Sequence, residues 1–487
     1  MKFSYAFGVL FVFILLSACN REDFYSGGQV DYSFSQDTLL FDTVFTSIGS
    51  TIKFVKVYNH QDQPVLAHVY LEPGQSFFRL NIDGTAGNDL KDVRIEGQDS
   101  IYIFVEVNID PNQSSSDSPF IIESTVHVDI GESEKSFLLE AFGQNANYIP
   151  GVKSGGISYK IPCTGGKFIL DDTKPYVIYG VMVVDSCTMV VNAGTRIFMH
   201  GGVIRTEDDI YNDGLILVLK HGNVRFEGTL DHPIIVEGDR LEAKYQDVRS
   251  QWAGIVLWQE TRNNYFKHTI IKNSIVGIRL DSLAQASVNN CLIFNTGGAG
   301  ISARHSTLSV TNSLLYENGG GGLIFSYGGQ YSVTYTTVGS FLNSVPAIYL
   351  GDYYCPTFPC DNRIQIAPLK ATLTNCVFSG GEEDEITLAQ AGDFDDQFQY
   401  TFDHCLFRVK DLLSANRFPD FLDHCINPIN YQDIKLPLFI DYKNNDFRLD
   451  TMSVVREKGK NISNIQFDLL EQPRKSIPDL GCYELNL

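Results

Sequence analysis

Between residues 51 and 143 apolar and polar positions alternate in short runs. "TIKFVKVYNH" (51–60) sets Ile52, Phe54, Val55, Val57 and Tyr58 among polar neighbours. "DSIYIFVEVNIDP" (99–111), "STVHVDI" (124–130) and "KSFLLEAFG" (135–143) repeat the theme. A period near two predicts strands with one buried face, and "HQDQP", "EPGQ" and "IDPNQSSSDSP" supply turns between them. Several short strands of this kind between residues 31 and 146 predict a β-sandwich.

After "NYIPGVKSGG" (147–156) the pattern changes to a repeat. "HTIIKNSIVGI" (268–278), "NCLIFNTGGAGI" (290–301) and "NSLLYENGGGGLI" (312–324) place Asn273, Asn295 and Asn318 at intervals of 22 and 23 residues. "NCVFSG" (375–380) and "HCLFRV" (404–409) continue the series across longer insertions. Short β phrases recurring at twenty-odd residues predict a solenoid, in which each coil adds strands about 4.8 Å from those of the last. Identical polar residues at the turns then hydrogen-bond up the stack, so Asn273, Asn295 and Asn318 are expected to form a structural ladder. Cys291 and Cys376, each following an Asn, read as small buried fillers.

Composition narrows the class. Phe, Tyr and Trp make up 12% of the 487 residues, Gly is plentiful (41) and Met scarce (5), which favours β-structure over helical bundles. The formal charge of −21 argues against a nucleic-acid partner, whose phosphates need Lys and Arg. It also disfavours anionic polysaccharide and anionic lipid unless a divalent cation bridges them.

The N-terminus carries Lys2, then the apolar run "AFGVLFVFILL" (6–16), too short to span a bilayer comfortably. Leu16-Ser17-Ala18-Cys19 resembles the bacterial lipobox, which implies that Cys19 is lipidated and becomes the mature N-terminus. "NREDF" (20–24) resembles the export tag of lipoproteins displayed on the outer face of the outer membrane. The expected organisation is a signal segment over 1–18, a linker over 19–30, a sandwich over 31–146 and a solenoid over 147–487.

"LLFDTVFTSIGSTIKFVKVYN" with "IEGQDSIYIFVEV" resembles Ig-like domains of the abnormal-spindle and Hydin type. "GTLDHPIIVEG" (228–238) and "QWAGIVLWQE" (251–260) resemble phrases of pectin-lyase-like right-handed parallel β-helix proteins, with Trp252 and Trp258 as core aromatics or, alternatively, a sugar platform. "PLFIDYKNNDFRLDTMSVVREKG" and "IPDLGCYE" resemble the closing segment of that family, which implies a cap over the last coil and its unpaired strand edges. The chain is thus expected to be all-β, an Ig-like sandwich followed by a right-handed parallel β-helix.

Chemistry is sparse on this frame. The clustered acids of galacturonase-type hydrolases are missing, as are "H-E-x-x-H", a phosphate loop and a nucleophile elbow. Aligning "GIRLDS" (277–282) on "GISARH" (300–305) sets Asp281 beside Arg304 and Ser282 beside His305. Asp281, Arg304 and His305 are therefore the weak catalytic candidates, with a surface ion pair as the alternative. The acidic runs "EDDIYND" (207–213), "GEEDE" (381–385) and "GDFDDQ" (392–397) are expected to be solvated loops, bound Ca²⁺ being the alternative, and no cofactor is expected. Ten cysteines in an exported chain invite disulfides. Cys355 with Cys360 in "CPTFPC" is the first candidate and Cys163 with Cys187 the second. The function expected is a non-catalytic binding or scaffold module for a glycan or an outer-membrane partner protein. The alternative is a polysaccharide lyase or glycoside hydrolase.

Overall fold

The structure is a computed structural model. It describes residues 24–486 apart from 26, 46–51, 74–76, 108–119, 145, 150–157, 172, 202, 206–209, 213, 242–244, 357–359, 361–363, 393–396 and 415–417. Two compact units divide the chain between Asn145 and Ala146.

In the first unit Tyr32–Phe34, Lys53–Asn59, Ser100–Val107, Phe78–Ile82 and Thr85–Ala86 form one antiparallel sheet. Thr38–Phe45, Ser133–Gln144, Phe120–Ile130, Val65–Leu71 and Asp89–Ile95 form a second, in which Thr38–Phe45 pairs parallel to Ser133–Gln144 and the rest antiparallel. The two sheets share one core. Val55, Val57, Phe78 and Val105 come to it from the first, Phe41, Val69, Val128 and Leu139 from the second. The alternation in the sequence is this inside-outside alternation: Val55 and Val57 are buried while Phe54 is exposed.

The second unit is a parallel solenoid with three faces. Face A is an 11-stranded sheet running from Asn147–Ile149 through Thr269–Lys272, Leu292–Phe294 and Leu314–Tyr316 to Ile429–Asn430. Faces B and C together make a 17-stranded sheet bent along a corner. Face B includes Val181–Val184, Gly254–Leu257, Ile278–Leu280 and Ile348–Gly351; face C includes Asn264–Lys267, Gln285–Asn289, Leu369–Thr374 and Phe398–Asp403. Strands Ile301–Thr311 and Leu323–Thr334 run through the corner and belong to both faces.

Side chains stack in register inside. On face B, Met182, Ile216, Ile255, Ile278, Ile301, Leu323, Ile348 and Ile386 form one continuous column, all buried. Burying each such side chain contributes roughly 1.5–3 kcal/mol. On face C, Phe226 stacks on Phe266 with centroids 5.0 Å apart.

The corner from face C to face A is turned by a single residue in the left-handed conformation. His268, Asn290, Asn312, Tyr335, Asn375, His404 and Asn427 take this place in successive coils, with φ between 40° and 54°. Asn suits it because its short polar side chain tolerates positive φ. Each of His268, Asn290, Asn312, Tyr335, Asn375 and His404 donates its amide to a carbonyl of the next coil.

The closing segment does not lie over the last coil. That end is covered by residues 411–414 and 418–424, where Leu412, Phe418 and Phe421 pack into the core and Phe421 meets the rings of Tyr400, Phe402 and Phe407. The segment from Tyr431 onward instead runs back along the outside of face A. Face-A strands such as "LLY" (314–316) are apolar at successive positions, so they present hydrophobic side chains outward as well as inward. Leu314, Tyr316, Val377 and Leu406 form the outward set, and Phe439, Phe447, Leu449, Leu469, Leu480 and Cys482 of the tail bury them. "DFRL" seats its Phe447 on Gly339, where a Cβ would lie 2.2 Å from Phe447 Cε1. In "GCYE", Gly481 takes φ +86° and the Cys482 amide donates to Thr337 Oγ1 at 3.0 Å.

Candidate binding face and the expected site residues

Asp281, Arg304 and His305 do not form an acid–base set. Their register is as expected, since Leu280 pairs with Ala303. Asp281, however, is buried just past the end of Ile278–Leu280 and takes its ion pair from Arg279 of that strand, two residues back, at 3.0 Å. Arg304 lies over the ring of Tyr354 at 4.6 Å, and His305 packs on Tyr327 with centroids 5.1 Å apart. Arg279, two residues away in the same coil, donates from Nη2 to Asp281 Oδ1 at 3.0 Å.

The expected Asn ladder forms over one step and then shifts. Asn295 Nδ2 donates to Asn273 Oδ1 at 3.0 Å, and Arg249 Nε donates to Asn295 Oδ1 at 3.1 Å. The next rung is Glu317, not Asn318: Asn273, Asn295 and Glu317 share positive φ. Asn318 falls one place later, is buried, and accepts from Thr296 Oγ1 at 2.9 Å while donating to the Ile293 carbonyl at 3.1 Å.

Cys19 lies outside the described residues. Cys355–Cys360 and Cys163–Cys187 are disulfides. Cys291, Cys376, Cys405 and Cys482 are buried free thiols; burial pushes the Cys291 thiol up to about 12. The two tryptophans part company: Trp252 is buried, donating to the Lys272 carbonyl at 2.9 Å, whereas Trp258 is 43% exposed. In "GEEDE" the acids serve the fold. Glu383 pairs with Lys410 at 2.7 Å, Asp384 accepts the amides of residues 410–412 at the start of the Asp411–Ser414 helix, and Glu385 is buried. Residues 207–209, 213 and 393–396 of the other two acidic runs lie outside the description. Among the described residues no three His, Cys, Asp or Glu side chains converge as a metal site.

What the repeat builds instead is an outward polar surface on face C. Its middle row, in strict register, reads Tyr265, Ser287, Ser309, Ser332, Thr372 and Thr401. One flanking row reads Gln285, Thr307, Gln330, Lys370 and Gln399, the other Asn289, Thr311, Thr334, Thr374 and Asp403. Hydroxyls and amides thus recur at every coil. Through the coil of Thr401 the rows hold one cation, Lys370, and one carboxylate, Asp403 at the end of the last row, which pairs with Lys460 of the tail at 2.9 Å.

A groove of ≈ 490 Å³ lies over this surface, lined by Asn263, Gln285, Ser287, Thr307, Ser309, Gln330, Ser332, Lys370 and Thr372 among others. The turn from face B into face C borders one side. There Glu260, Leu283, His305 and Tyr327 follow coil by coil, all at positive φ, and Tyr354 of the Cys355–Cys360 insertion approaches Tyr327 at 6.0 Å. The other side is bordered by the tail, whose Asn464, Gln466 and Phe467 line a second groove with Asn289 and Thr311. Burial holds the Tyr265 phenol above its ordinary range, so it stays a neutral donor.

A sequence signal for this face exists. "QASVNN", "TLSVTN", "QYSVTY", "KATLTN" and "QYTFDH" all repeat a polar residue, then Ser or Thr two places on, an apolar residue and another polar one. The same alignment exposes the corner column at Asn290, Asn312, Tyr335, Asn375 and His404.

The family model described as the right handed beta helix region matches residues 176–338. That stretch is a right-handed β-helix. It takes in the coils from Tyr176–Tyr179 to the start of Thr337–Ser340, including the upstream half of the polar face. No curated protein matches the chain. Solved structures with partial likeness include a family 123 glycoside hydrolase from Clostridium perfringens, at 10% identity over 24% of this chain and 27% of that one, TM-score 0.19. They also include a point mutant of the SrpA adhesin from Streptococcus sanguinis, at 8% identity over 24% and 61%, TM-score 0.18. A third is the E. coli chaperone DraB, at 11% identity over 38% and 84%, TM-score 0.17. The match spans less than two thirds of the hydrolase and of the adhesin. Likeness of this degree bears on neither fold nor function.

Proposed function

We propose that the protein is an exported, lipid-anchored lipoprotein of the outer membrane, displayed on the cell exterior, whose β-helix is a non-catalytic binding or scaffold surface for a glycan or a partner protein. The N-terminal unit, an Ig-like sandwich on this reading, acts as its spacer. The anchor rests on the Leu16–Cys19 motif, and display on Arg21, Glu22 and Asp23 behind it. One observation carries binding over turnover. Asp281 is paired with Arg279, Arg304 lies over the Tyr354 ring and His305 packs on Tyr327, so the three do not converge, while the groove on the in-register polar face is lined by hydrogen-bonding groups with Lys370 as its one ion. The test joins two measurements on cells expressing the full chain. Cys19→Ala should leave the N-terminus unlipidated by mass spectrometry and wash the protein from membranes. The wild type should release no unsaturated or reducing ends from charged or neutral polysaccharides, with or without Ca²⁺. Turnover abolished by Arg304→Ala or His305→Ala would establish the lyase or hydrolase reading instead.

A further inference from the structure

We propose that the groove over face C takes a neutral glycan chain lying along the solenoid axis. This rests on the binding reading above and names its ligand and site. Three observations carry it. Ser287, Ser309, Ser332, Thr372 and Thr401 stand one above another, each able to donate and accept. Sugar hydroxyls do the same, and a chain along the axis meets an equivalent set about every 4.8 Å.

Charge is the second. In a chain of formal charge −21 the groove keeps a single ion, the Lys370 ammonium, and no acid. A polyanion would find one cation there and repulsion around it; a neutral chain meets neither effect.

The third is the border. Phe467 of the tail is 52% exposed and lines the adjoining groove with Asn289 and Thr311, a large apolar face beside a hydrogen-bonding floor. That pairing suits a sugar ring, which is apolar on its face and polar at its rim. An extended peptide fits poorly. Adding a strand needs a free sheet edge, and the backbone of face C is paired from coil to coil.

The test is electrophoresis of the full chain in detergent through gels holding xylan, mannan, an α-glucan or a β-glucan, with polygalacturonate as the charged comparator. At least one neutral polysaccharide should retard the wild type. Ser332→Glu and Thr372→Glu, both at exposed positions, should each weaken that retardation by about tenfold or more. Phe467→Ala should weaken it several-fold, and Thr387→Glu on face B should leave it unchanged. Thermal melts check that each variant is folded. Retardation unaltered by the face-C substitutions overturns the site and leaves the binding reading standing. Absence of retardation by every neutral polysaccharide overturns the ligand, as does a wild-type self-association that Ser332→Glu abolishes. Cleavage of the gel polysaccharide would instead sink the binding reading itself.

Discussion

Glu385 lies buried at the corner between faces A and B, accepting the Glu382 amide at 2.9 Å and the Ala347 amide at 3.1 Å. Burial outweighs those two donors and pushes its carboxyl from 4.5 up to about 8. The folded state therefore holds this proton where the unfolded chain has lost it. Stability from this group is fully present below about pH 4.5 and is lost as the pH rises through about 8. We expect the melting temperature of wild type to fall across that window more steeply than that of Glu385→Gln, by the equivalent of roughly 1–3 kcal/mol. The slope is the readout, because Gln cannot accept both amides and lowers stability at every pH. Equal slopes would show that Glu385 stays ionised. Sequence was a weaker guide at this scale. "NTGG" and "ENGG" both read as Asn before a glycine turn, yet Asn295 turns the chain and Asn318 points inward, because Glu317 holds the corner place in its coil and Asn318 the place of Thr296. Asn290, Asn312 and Asn375 stood in the same phrases with equal periodicity. A repeat fixes spacing but cannot say which of two periodic asparagines has positive φ.

The tail shows how an element can be legible in kind and not in place. "DFRL" and "GCYE" are its motifs, and the expectation of a closing segment came from them; its path along face A came from elsewhere. Strands "LIF" (292–294) and "LLY" (314–316) are apolar throughout, the mark of a strand buried on both sides. Something had to cover them, and the corner asparagines supply the polar half of that cover. Asn312 Nδ2 donates to the Phe467 carbonyl at 2.8 Å, and Asn375 exchanges hydrogen bonds with Lys460 at 2.7 and 2.8 Å. Arg474 locks the arrangement: buried over the Tyr335 ring at 3.6 Å, it donates to Asn312 Oδ1 at 2.9 Å and to the Gly481 carbonyl at 3.1 Å, and faces Glu484 at 3.4 Å. Arg474→Ala leaves Glu484 buried without its cation, a loss of about 3–5 kcal/mol. Since the coils have their own core, amide exchange should quicken across residues 457–484 and stay slow in Ile278–Leu280 and Ile301–Thr311. Equal acceleration in both would mean that the tail and the coils unfold as one unit.

For the molecule as a whole, the class was the most legible level. A two-residue period gave the sandwich and a period of 22–23 gave the solenoid, because both follow from which side chains must face a core. Surface purpose is harder to read, since solvent tolerates many residues, and only coil-to-coil register turns scattered Ser and Thr into rows. Net charge then decides how those rows meet a ligand. At −21 the chain repels polyanions over about 10 Å at 0.1 M salt, and that repulsion is screened as salt rises. A neutral chain held by hydroxyls and amides has no such term. Between about 0.05 and 0.5 M NaCl, spanning Debye lengths longer and shorter than the groove's own contacts, affinity for the neutral polysaccharide should change by less than about twofold. Polygalacturonate should be excluded at the low end and at most weakly held at the high end. Affinity for a neutral chain that falls steeply with salt would mean that Lys370 and its neighbours bind charge. Tight low-salt binding of polygalacturonate would mean that the −21 average conceals a basic patch, and the hydroxyl rows would lose their place as the floor of the site.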